Sequence, residues 1–70
     1  MKIIWNYDDI HSDIISVYVK KDCIGYFKLE DDKFRIIQDS ISTSISIIIL
    51  KQIVDEYPEA LQEARKMIES

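Results

Sequence analysis

Between residues 14 and 38 the chain alternates apolar and polar side chains in three short runs, and that two-residue period confines the segment to half-buried strands. The runs cover 14–20, 24–30 and 34–38, separated by Lys21-Asp22-Cys23 and Asp31-Asp32. A two-residue loop at Asp31-Asp32 places Leu29 opposite Phe34, Phe27 opposite Ile36, Glu30 opposite Lys33 and Lys28 opposite Arg35. For the preceding hairpin, a two-residue loop mixes the faces. A three-residue loop pairs Val17 with Phe27, Ile15 with Leu29 and Val19 with Gly25, and aligns the apolar sets across all three strands. That loop asks Cys23 to adopt a left-handed backbone at some cost. The expected inner face is Ile15, Val17, Val19, Phe27, Leu29, Phe34 and Ile36, with Gly25 leaving room for a bulge or a close neighbour.

Ile3, Trp5 and Tyr7 alternate in the same way and predict a fourth strand, followed by a loop or single helical turn over 8–13. The C-terminal half changes period. Pro58 opens a helix with acids early, bases late and a stripe of Leu61, Ala64, Met67 and Ile68. Residues 41–49 read as strand or helix. The gathering of Ile47, Ile49, Leu50, Ile53, Val54 and Tyr57 on one side of a helical wheel favours an earlier helix, with Asp39, Ser40, Ser42 and Thr43 as candidate caps. The expectation is one α+β domain over 1–70: a three- to four-stranded antiparallel meander with two C-terminal helices on one face.

Composition narrows the function more than it names one. Seventy residues lie near the lower limit for independent folding. One cysteine rules out an internal disulfide, and one cysteine with one histidine cannot fill a zinc-finger site. A net charge of −4 disfavours bulk nucleic acid and anionic membranes as partners. The longest apolar run, 47–50, is far short of a membrane span, and acids at Asp8 and Asp9 come too early for a secretory signal. With a lone thiol, these features predict a cytoplasmic protein without a membrane partner.

No motif of catalysis or cofactor binding is present, so the chain is expected not to be an enzyme and to need no cofactor. Asp9, His11 and Asp13 are the metal-ligand types nearest together, but they lack the length and central glycine of a calcium loop and read as an exposed polar connection. Cys23 and His11 are a nucleophile and a base with no orienting third group. The stronger candidate is the outer sheet face, where the expected register gathers Ser16, Tyr18, Lys20, Ile24, Tyr26, Lys28, Glu30, Lys33, Arg35 and Ile37. Aromatics among bases suit an acidic protein surface or a single-stranded nucleic acid. The same pattern also describes an ordinary solvated face with cross-strand pairs such as Tyr18–Tyr26. Acids fall elsewhere, at Asp31 and Asp32 and around the helix junction at Asp55 and Glu56, and offer a second surface for a basic target. Ile45 and Ile48 lie outside the main helical arc and, with an edge strand, suggest a homodimer or partner patch.

These features point to a small non-enzymatic protein-binding module, an inhibitor or adaptor that occupies a surface of a larger target. In size, acidity and isoleucine content the chain is similar in style to the inhibitors that phages and mobile elements direct at host defence nucleases, such as anti-CRISPR proteins, although no residue motif carries that likeness. The alternatives are a nucleic-acid-binding module built on Tyr18, Tyr26, Lys28 and Arg35, and a small immunity protein or antitoxin.

Overall fold

The computed structural model describes residues 2–29, 31–37 and 46–69. Four antiparallel strands follow one another in space as in sequence: β1 (Ile3–Asn6), β2 (Ile14–Val19), β3 (Asp22–Lys28) and β4 (Asp31–Ile36). A 3-10 turn, Ile10–Ser12, links β1 to β2 and drops Ile10 into the core. One helix, α1 (Ile47–Glu69), covers one sheet face.

The strand faces agree with the alternation, but the partners do not. Ile15 pairs with Phe27 and Val17 with Gly25, where Leu29 and Phe27 were expected. Phe27 pairs with Phe34 and Gly25 with Ile36, where Ile36 was expected opposite Phe27. Both hairpins have slipped by two residues, which keeps Ile15, Val17, Phe27 and Phe34 on the face that the pattern demands. The β2–β3 turn is the two-residue loop Lys20-Lys21, and Lys20, not Cys23, takes the left-handed backbone at φ 58°. An irregularity then brings the faces into line: Tyr18 pairs with Cys23 while Val17 pairs with Gly25, leaving Ile24 as the extra residue of a bulge. Ile24 therefore points inward and is fully buried, which corrects its expected place on the outer face. Likewise Lys28 stands opposite Asp31, so Asp31-Asp32 opens β4 and is not the β3–β4 turn.

Gly25 is required by space. A Cβ built there would stand 2.5 Å from the Phe34 ring and 2.5 Å from the Arg35 carbonyl oxygen. The close neighbour is thus an aromatic ring of the next strand, lying where a side chain would otherwise project.

The two expected helices are one. Ile49, Ile53, Ala60 and Ala64 form a continuous buried stripe that runs through Pro58. Proline inside a helix forfeits one backbone hydrogen bond and crowds the preceding turn, at a cost of about 3 kcal/mol. Burying apolar side chains on both sides of it, at roughly 1.5–3 kcal/mol each for the larger ones, outweighs that penalty. The cap is Ser46, whose Oγ accepts from the Ile49 N–H at 3.2 Å; the expected caps at 39, 40, 42 and 43 lie outside the described residues, as does Ile45. Val54, assigned to the apolar arc, is 65% exposed, and Ile47 is 82% exposed.

Helix length explains the exposed ends. Twenty-three residues span about 34 Å at 1.5 Å per residue, whereas six-residue strands span roughly 20 Å. The helix therefore overhangs the sheet by about a turn at each end. Ile47 and Ile48 emerge at one end, Met67 and Ile68 at the other. Its direction follows from the packing. Ile49 and Ile53 join Ile3, Val19 and Ile24 beside the β2–β3 turn, while Ala64 joins Ile10 and Ile15 at the far end. Between them Trp5, Phe27 and Tyr57 stack, with Phe27 and Tyr57 centroids 4.1 Å apart.

Candidate functional site

A helix on one side of a four-stranded sheet leaves the other side open, and register alone decides what that side presents. Ile4, Tyr18 and Cys23 form one cross-strand row; Asn6, Ser16, Tyr26 and Arg35 form the next; Ile14, Lys28 and Asp31 form the third. Tyr18 and Tyr26 are half-buried on adjacent rows and do not face each other directly as expected. Ile4 is 47% exposed. The bulge at Ile24 puts Cys23, expected in a turn, beside Tyr18; its thiol donates to the Gly25 carbonyl oxygen at 3.7 Å. Cys23 is the main cause of an upward shift of the Tyr18 phenol, with burial, a hydrogen bond to Cys23 and the charges of Asp8 and Asp9 adding to it.

The expected bases fare unevenly. Arg35 bonds Asp31 at 3.1 Å, and Lys28 is opposite Asp31 in the ladder. Asp31 also accepts from the Lys33 N–H at 3.2 Å. So Asp31 sits among the bases, not apart from them, and its carboxylate offsets the Arg35 charge. Lys20 is exposed in the β2–β3 turn, at the end of the sheet and off its face. Asp32 falls on β4, though its side chain lies outside the described residues, as does Glu30.

The helix acids divide. Asp55 is exposed. Glu56 is half-buried and fastens α1 to β1: its Oε1 accepts from the Trp5 indole N–H at 3.1 Å and its Oε2 from the Gln52 amide at 2.8 Å. Beside it, Trp5, Tyr7, Glu59, Ala60 and Glu63 line a shallow cleft between β1 and the helix. Burial, then the nearby Glu63 carboxylate, pushes the Tyr7 phenol above its ordinary value.

The structure does not bring His11 and Cys23 together; one lies in the 3-10 turn and the other near the opposite end of the sheet. Asp9, His11 and Asp13 are exposed, and among the described residues no three His, Cys, Asp or Glu side chains are grouped to share a metal ion. No helix among the described residues is long and apolar enough to cross a membrane.

Sequence reasoning missed Ile4, Ile14 and Cys23 on the open face. The alternation about Ile3 and Trp5 already implied Ile4; the bulge that turns Cys23 outward leaves no comparable trace. No family model, curated protein or solved structure matches the chain.

Proposed function

We propose that the chain is a protein-binding module that acts as an inhibitor or adaptor by laying its open sheet face on a larger target. The observation that carries this reading is the face itself, with two half-buried tyrosines on its central strands, Ile4 beside them on the edge strand β1, and Arg35 paired with Asp31 on the β4 side. Tyrosines and apolar side chains amid sparse charge are what protein interfaces concentrate at their cores. A nucleic-acid platform needs cations free to replace counterions along a phosphate chain. Here Arg35 is already engaged and Lys28 stands opposite a carboxylate.

The test is affinity capture from a lysate of the source cell, with and without nuclease, using the native chain, Tyr18→Ala/Tyr26→Ala and Lys28→Glu/Arg35→Glu. One protein held in stoichiometric amount after nuclease treatment, and lost with the tyrosine variant, supports the reading. Recovery of nucleic acid alone, lost with the charge-reversed variant, overturns it.

A further inference from the structure

One end of the molecule gathers lysines and the most exposed isoleucines. Ile3 pairs with Val19, so Lys2 arrives beside the turn that carries Lys20 and Lys21. The same end receives the start of α1, because Ile49 packs with Ile3, Val19 and Ile24. That places Lys51 and the overhanging Ile47 and Ile48, 82% and 79% exposed, over the turn. Ile36, opposite Gly25 at the end of β4, adds a third isoleucine at 51% exposure. Among the described residues, four exposed lysines stand at this end with Asp22, and Asp55 lies one helical turn beyond Lys51, in a chain whose net charge is −4. Asp8, Asp9, Asp13 and Asp31 gather at the other end, around the 3-10 turn and the β3–β4 connection.

We propose that this end docks on an anionic lipid bilayer, with Ile47 and Ile48 entering the interfacial layer and Lys2, Lys20, Lys21 and Lys51 on the headgroup phosphates. Apolar side chains that protrude inside a ring of lysines match both properties of such a surface: shallow hydrocarbon and dense negative charge. The acidic net charge does not oppose docking end-on. The molecule is 37 Å long and about 20 Å across. The far acids are separated from the lysines by the length of the strands, roughly 20 Å, and physiological salt screens charge beyond about 8 Å. Lysines near an anionic leaflet strengthen partition by a factor of about five each.

The experiment is co-sedimentation with phosphatidylcholine vesicles, with and without phosphatidylserine, across ionic strength. The native chain is expected to pellet only with phosphatidylserine present. Lys20→Glu/Lys21→Glu should weaken partition by at least about 25-fold. Ile47→Ser/Ile48→Ser should abolish it while leaving the circular dichroism and melting temperature close to native, because both side chains are already in solvent. Tyr18→Ala/Tyr26→Ala, on the open face, should sediment like the native chain.

Three outcomes overturn the proposal. One is no phosphatidylserine-dependent pelleting at low salt. Another is binding that survives loss of both isoleucines, which reduces the contact to charge attraction alone. The third is lysine-dependent self-association in sedimentation velocity without vesicle binding, which assigns this end to a second copy.

Discussion

Gly25→Ala is the smallest change that tests the packing of β3 on β4. The added methyl would stand 2.5 Å from the Phe34 Cζ and 2.5 Å from the Arg35 carbonyl oxygen, against an ordinary contact of 3.4–4 Å. The ring can turn away, but only by giving up its packing on Phe27, whose centroid is 5.1 Å from its own. The carbonyl is backbone and moves only if β4 moves. Overpacking of this kind costs about 1–3 kcal/mol, and the backbone clash puts the expected loss near the upper end. A domain of this size has roughly 3–5 kcal/mol to lose. The variant should therefore melt about 12–24 °C lower for a loss of about 3 kcal/mol, read by circular dichroism or calorimetry. Phe34→Leu alone should cost less. In the double variant the two losses should not add, because the shortened side chain removes one of the two clashes. A Gly25→Ala protein within about 0.5 kcal/mol of native, or strict additivity with Phe34→Leu, would refute the placement of the ring over the glycine.

Pro58→Ala should stabilise the protein by about 1–3 kcal/mol, since a continuous helix regains the Val54 carbonyl's hydrogen bond; an unchanged or lower denaturation midpoint in urea would mean that the helix begins at the proline. At high pH, stability should fall through Tyr7. Its folded pKa lies above the ordinary value of 10.0, so its contribution is complete below pH 10 and is lost as pH rises through the higher folded value. Tyr7→Phe should flatten the alkaline limb of a melting-temperature profile, and an identical limb in the variant would remove Tyr7 as the cause.

What could be read from the residues has a clear physical boundary. Alternation reveals which face a side chain takes, so Ile15, Val17, Val19, Phe27 and Phe34 were assigned inward correctly. It is blind to a two-residue slip, because Phe27 points inward whether it pairs with Ile36 or with Phe34. The bulge at Ile24 escaped for a related reason: one extra residue reverses the pattern for half a strand, and Gly25 beside it was the only local hint. Pro58 misled because its preference for first turns is strong, while the evidence against a break was the stripe of Ile49, Ile53, Ala60 and Ala64 read across it. The lysine-rich end was hidden altogether. Lys2, Lys20, Lys21, Ile36 and Lys51 are scattered through the sequence, and only the meander order and the direction of the helix assemble them. Tyr18 and Tyr26 were found because both lie on strands whose parity was legible. The balancing of Arg35 by Asp31 was not, because it depends on the length of the β3–β4 turn.

The meander has a further consequence for the order in which the chain can acquire structure. Each strand pairs with its neighbour in sequence, so the sheet can close by successive short loops, the fastest kind of closure. The Trp5–Glu56 hydrogen bond joins groups 51 residues apart and must await the helix. During synthesis, which runs from the N-terminus, Val17, Val19 and Ile24 would stand bare until α1 emerges. A ribosome paused before the helix would hold a sheet with an uncovered apolar face. The helix is thus both the lid of the core and the step that ends its exposure to aggregation.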